Sequence, residues 1–221
     1  MRLPCLIINL KNYRKASGQS VLEFLKYASE YSGSRWIYVA PPVLDLYYVS
    51  SIHSGEYIFS QHVDRVEYGS STGHIPLERL IDMGIAGSLI NHSEFKVDAE
   101  IIGDIVSAID GRDFDIVVCI DSLNELRLLL GREIYPSAYA IEPPELIGTG
   151  RSVSKYKPEV IREAYSILKD YGIPLICGAG ISSWEDVSAA RRLGAVGVLV
   201  ASAVVKSREP GSVIKRMSGA L

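Results

Sequence analysis

A closed (β/α)8 barrel is the fold class this amino-acid sequence predicts, on three observations. Short β-branched or aromatic runs recur eight times along the 221 residues. Longer amphipathic stretches separate them, giving each run a helix-sized partner. The runs are apolar throughout rather than alternating, as in strands of a parallel sheet covered on both faces. Eight such units in one chain point to closure. A doubly wound α/β sheet is the structural alternative. No Pro/Ser-rich or low-complexity stretch marks a linker, so residues 1–221 are expected to form one domain. Barrels of this type typically run to about 250 residues, so the outer helices should be shortened.

In chain order, Cys5 to Asn9 reads as the first strand, and Val21 to Tyr31 as a helix with Val21, Leu22, Leu25 and Ala28 on its apolar face. Trp36 to Ala40 is the second strand, with Pro41-Pro42 opening a helix through Val49. Tyr57 to Gln61 is the third, followed by a polar loop through Gly73 and a helix at Leu77 to Met83. Ala86 to Asn91 leads to a helix at Ala99 to Ala108. Asp115 to Ile120 leads, through a cap at Asp121-Ser122, to a helix at Leu123 to Leu130. Ala138 to Glu142 is the sixth strand, and Pro158 suits the first turn of a helix to Asp170. Pro174 to Cys177 is the seventh, with Ser183 capping Trp184 to Leu193. Val196 to Val200 is the eighth, and the last helix follows Glu209.

Composition narrows the function classes. A net charge of −3 argues against nucleic acid or an acidic membrane as partner. No apolar run reaches the roughly 18 residues that span a bilayer, and the start is not a signal peptide. The three cysteines, Cys5, Cys119 and Cys177, lie within apolar runs. Buried free thiols in a reducing cytoplasm account for them, and their spacing matches no metal site.

In such barrels the loops after the strands form the active face, so polar residues at strand ends carry the chemistry. Those ends hold Asn9 and Lys11, Gln61, Asn91-His92-Ser93-Glu94 and Glu142. Lys11, His92 and Glu142 thus converge from separate strands. Glu142 is followed at once by Pro143-Pro144 and then by Ile147-Gly148-Thr149-Gly150. Proline stiffens the start of that segment and glycine frees its end, as in a lid on hinges. The seventh and eighth loops carry Gly178, Ala179 and Gly180, then Ala201 and Ser202. These small residues let backbone amides face a phosphate. His53, His62 and His74 fall in no comparable constellation and read as surface or interface residues.

The Asn91-His92-Ser93-Glu94 and Glu142-Pro143-Pro144-Glu145-Leu146-Ile147-Gly148-Thr149-Gly150 segments resemble those of the triosephosphate isomerase family. Asn9-Leu10-Lys11, Ser60 to Asp64, Thr72-Gly73 and the Gly178 and Gly197 loops extend the resemblance over nearly the whole chain. The compact length and Cys177 to Ile181 look like the archaeal branch. The resemblance implies a TIM barrel that interconverts dihydroxyacetone phosphate and glyceraldehyde 3-phosphate without metal or cofactor. By it, Glu142 is the base, His92 a neutral electrophile, Lys11 and Asn9 stabilise the oxyanion, and Glu94 orients the site. Ile147, Gly148, Gly178, Ala179, Gly180, Ala201 and Ser202 would hold the phosphate. The loop from Gln61 to Gly73 would dock into a second copy, giving a homodimer or homotetramer. The chain departs from the family at Phe95-Lys96, where arginines are common, and at Ala201-Ser202, where Gly-Gly is common. The competing readings are another sugar-phosphate barrel enzyme, or a catalytically silent barrel that senses or scaffolds a phospho-metabolite.

Overall fold

A computed structural model describes all 221 residues. Its strands are β1 (Cys5–Asn9), β2 (Trp36–Ala40), β3 (Phe59–Ser60), β4 (Gly87–Ile90), β5 (Asp115–Ile120), β6 (Ala138–Ile141), β7 (Leu175–Cys177) and β8 (Gly197–Val200). Their order, β2-β1-β8-β7-β6-β5-β4-β3, is that of a rolled parallel sheet. A single parallel bridge, Val39 to Ile58, joins the two end strands and completes the barrel.

Period-two alternation sorts each strand between two cores. Cys5, Ile7, Tyr38, Phe59, Leu89, Val117, Ile176 and Leu199 fill the barrel, with Ala40, Cys119, Ala138 and Ala140. Leu6, Ile8, Ile37, Val39, Val118 and Ile141 face outward into the larger core beneath the helices. Asn9 shares the inward parity of Cys5 and Ile7, and Glu142 that of Ala138 and Ala140. Both therefore reach the mouth of the barrel.

The helices are α1 (Ser20–Tyr31), α2 (Val43–Ser50), α3 (Leu77–Asp82), α4 (Ala99–Ala108), α5 (Leu123–Leu130), α6 (Val153–Tyr156), α7 (Pro158–Leu168), α8 (Trp184–Arg192), α9 (Ser202–Val205) and α10 (Pro210–Gly219). In α1, Val21, Phe24, Leu25 and Ala28 form the buried stripe, with Phe24 taking the place expected for Leu22. Ser122 caps α5 by accepting from Glu125 N, and Pro158 opens α7. Asp186 in α8 accepts from Ser182 N and Ser183 N, so its carboxylate secures the helix start.

Three local expectations are revised. The third strand is Phe59–Ser60 rather than Tyr57 to Gln61. Gly55–Tyr57 forms a 3-10 turn, with the Tyr57 ring stacked 5.2 Å from Trp36, and Ser60 Oγ donates to His62 O to turn the chain outward. Residues 169–171 leave the α7 helix as a 3-10 turn ended by left-handed Gly172. Short helices α6 and α9, too brief to show periodicity, follow the 143–150 segment and β8. No helix is long and apolar enough to cross a membrane.

Candidate active site

The first loop is bent by its own side chains. Lys11 adopts left-handed backbone geometry, φ 47°, and its N–H donates to Asn9 Oδ1 at 3.0 Å. Gln61 Nε2 donates to Lys11 O and to Ala40 O, tying the β1 and β2 ends together. That conformation costs a non-glycine residue about 1 kcal/mol, which these bonds offset. It carries the Lys11 ammonium to 2.6 Å from Glu94 Oε1.

His92 is buried at the end of β4. Its Nδ1 lies 3.1 Å from the backbone N–H of Glu94. An N–H donor there makes Nδ1 the acceptor and leaves the proton on Nε2. Burial, reinforced by Lys11 and Lys96, holds the imidazole down to about 4, so it is neutral near pH 7. Nε2 sits 3.4 Å from Glu142 Oε2.

Glu142 is buried directly after β6, where its N–H donates to Ile120 O. Its Oε2 has no hydrogen-bond partner. Burial pushes the carboxyl up to about 7 against the opposing pull of Lys11. Gly178 makes room for it, since a Cβ there would stand 2.6 Å from Glu142 Oε1. Cys119 lies beneath; burial, then the carboxylate, raises its pKa and keeps it a thiol.

A cavity of about 570 Å³ joins these groups to the rest of the mouth. Its lining includes Asn9, Lys11, His92, Glu94 and Glu142. Ile147, Gly148, Ala179, Gly180, Ala201 and Ser202 line it as well. Gly178 alone of the expected set lies outside that lining, behind the Glu142 carboxylate. The first turn of a helix leaves N–H groups without intrahelical acceptors, and Ser202 and Ala203 place those of α9 at the cavity wall. Gly180, φ 71°, is packed so closely that a Cβ would stand 2.0 Å from Arg151 O. The seventh loop is thereby in backbone contact with Arg151, just past the 143–150 segment.

Several neighbours escaped the reading of strand ends. Tyr13, Ser182, Leu199 and Lys206 also line the cavity, with the Lys206 ammonium over the Tyr13 ring. Leu199 was visible through its inward parity; the others depend on loop paths. Glu145, exposed in the segment after β6, is ion-paired with Lys157. His62 and His74 form a constellation after all, both reaching Asp64 Oδ1, at 3.2 and 3.3 Å. Asp64 Oδ2 accepts from Ile75 N, closing the base of the 61–75 loop. Phe95 is exposed, with its ring edge-on to His62. Lys96 pairs with Glu125 at 2.6 Å and with Asp121 at 3.6 Å rather than with Glu94.

Comparisons with known proteins identify the relatives of this chain. The family model described as triosephosphate isomerase matches residues 4–217. A triosephosphate isomerase of Thermoplasma volcanium is 43% identical over 93% of this chain and 94% of its own length. One from Methanobrevibacter smithii is 40% identical over 95% of both chains. One from Cenarchaeum symbiosum is 41% identical over 100% of this chain and 99% of its own. A family match over almost every residue, on an eight-stranded barrel whose mouth joins Lys11, His92 and Glu142, means that this chain belongs to the triosephosphate isomerase family.

Proposed function

We propose that this chain interconverts dihydroxyacetone phosphate and D-glyceraldehyde 3-phosphate. The observation that carries the reading is the Glu142 carboxylate: buried, with one oxygen unpartnered, and 3.4 Å from a neutral imidazole. A desolvated carboxylate of raised pKa is a base matched to neutral pH. Glu142 takes a proton from C1 of the ketose, and the electron pair forms the enediolate. The His92 Nε2–H donates to the developing oxyanion, with Lys11 supplying fixed positive charge and Asn9 holding the Lys11 loop. The hydroxyl proton passes from O1 to O2, and protonated Glu142 then delivers its proton to C2 while the O1 electron pair forms the C1 carbonyl, giving the aldose. Glutamate base with neutral histidine is the established pairing of this family. The reaction moves protons within one molecule and needs no external electron carrier.

The phosphate occupies the opposite end, against the start of α9, Gly180 and the Ala179 amide. Ile147 and Gly148 cover it when the lid from Pro143 to Gly150 closes, excluding water from the enediolate. The whole chain acts as one domain, since β1 pairs with both β2 and β8 across its length. Three buried free thiols agree with a reducing cytoplasm.

The assembly we propose is a dimer. Val43, Leu44, Tyr47, Tyr48 and Ile52 on and after α2 are exposed, as is Phe95. Val43 and Phe95 line a groove of about 770 Å³ together with Asn12 and His62, large enough for a few residues at the tip of the 61–73 loop of a second copy. Light scattering should give twice the chain mass, and Leu44→Asp with Tyr47→Asp should shift it toward one; a wild-type monomer at micromolar concentration would refute this.

Turnover of glyceraldehyde 3-phosphate, coupled to reduction of the ketose, tests the reaction. Absence of turnover in folded wild type that still binds inorganic phosphate would favour the silent barrel instead.

A further inference from the structure

We propose that Asn91 and Glu125 are positioning residues for His92, holding the electrophile in place through a ring of bonds that joins the ends of β4 and β5 to the start of α5. The inference rests on the reading of His92 given above.

Asn91 is buried in left-handed geometry, φ 60°, at the last step before His92. Asparagine tolerates that conformation better than most side chains, and here every polar atom of its carboxamide is engaged. Nδ2 donates to Cys119 O at 2.7 Å and to Glu125 Oε1 at 2.9 Å. Oδ1 accepts from Val97 N at 3.0 Å. The carboxamide therefore closes the loop that contains His92, tying its start to its end and both to the neighbouring strand.

Glu125 completes the ring. Its Oε1 also accepts from Lys96 Nζ at 2.6 Å, and its Oε2 accepts from Asp121 N at 2.8 Å. Lys96 thus lies in the same loop as His92 and is anchored to α5. Inside the closed loop, His92 O accepts from Phe95 N and Nδ1 accepts from Glu94 N. The imidazole direction is set by its loop, and the loop by Asn91 and Glu125. Neither residue lines the cavity or touches the phosphate end.

A displacement of about 1 Å at a reacting group can cost 10²-fold in rate, so partial release of this loop should cost roughly 10-fold in kcat. Asn91→Gly keeps the backbone geometry and deletes the carboxamide; Glu125→Gln keeps the shape and deletes the charge. Both should lower kcat by roughly 10-fold while KM and inhibition by inorganic phosphate stay within about twofold, because the phosphate end is untouched. The ¹⁵N resonances of His92 should show a changed Nδ1 environment in both. Asn91→Asp, which places a carboxylate against Glu125, should not rescue. Wild-type kcat and unchanged His92 resonances in folded Asn91→Gly and Glu125→Gln would overturn the proposal. If Asn91→Gly does not fold, Glu125→Gln and Lys96→Gln decide on the same readings. His92→Gln separates the two levels: if it retains wild-type kcat, the reading of His92 fails; if it is impaired while the ring variants are not, only the positioning role fails.

Discussion

The two rims of the barrel mouth handle their polar groups in opposite ways. Around β4 and β5, Asn91, His92, Lys96, Asp121 and Glu125 bond to one another and to backbone. Around β6 to β8, Glu142 keeps an unpartnered oxygen, and glycines and small residues leave the wall bare. The first rim suits a group that must stay still, a neutral imidazole aimed at one oxygen. The second suits the proposed base, which reaches two carbons, and the proposed lid, which opens. Rigidity and freedom are thus assigned by rim, and each can be removed separately.

The largest expected effect comes from Glu142→Gln, which leaves the second rim without its base. Its kcat should fall by about 10² to 10⁴ in the coupled assay. The same variant should be more stable than wild type above pH 7. Folding raises the Glu142 pKa from 4.5 to about 7, so its favourable contribution is present below 4.5 and is lost as pH rises to 7. The stability difference, on the order of 2–3 kcal/mol by denaturant unfolding at pH 8, should vanish below about pH 4.5. A variant equally stable at both pH values would show that the carboxylate is not strained by burial.

Gly178→Ala should come next. Its Cβ would meet Glu142 Oε1 at 2.6 Å, so the carboxylate must shift while the first rim is unchanged. A kcat loss of roughly 10- to 100-fold with a modest change in KM is expected; an unaffected kcat would mean the carboxylate has more freedom than its surroundings show.

The pH profile sharpens the contrast without a substitution. Log kcat/KM should rise with unit slope to about pH 7 as Glu142 ionises, whereas His92, held down to about 4, adds no break near 6.5. A further break near 6.5 that disappears in His92→Gln would contradict the neutral imidazole.

The smallest effect belongs to Glu145→Gln, which releases the lid from Lys157. The pair is exposed, so stability should change by less than about 1 kcal/mol. Hydrogen exchange in residues 143–150 should quicken, and kcat should move by no more than about threefold; an identical exchange rate would leave the pair no hold on the lid.

Much of this was legible along the chain because two periods are local. The apolar runs and their spacing placed the strands within a residue or two, apart from the third. Their place at strand ends put Asn9 and Glu142 at the mouth. What escaped were consequences of chain path. Tyr57 turns because Trp36 lies across from it, and Lys206 reaches the cavity because α9 ends over Tyr13. His62 and His74 meet at Asp64 because the chain leaves at Asp64 and returns on itself at Ile75. Lys96, part of a departure from the family pattern, finds its partner only when Glu125 is seen beside it.

Residue order therefore accounts for the barrel, for the set Lys11, His92 and Glu142, and for the stiff-to-flexible lid, since hydrophobic period, proline and glycine act within a few residues. Packing accounts for the chemistry of that set. The neutral state of His92 and the raised pKa of Glu142 come from burial among segments far apart in sequence, and desolvation depends on everything that surrounds a group.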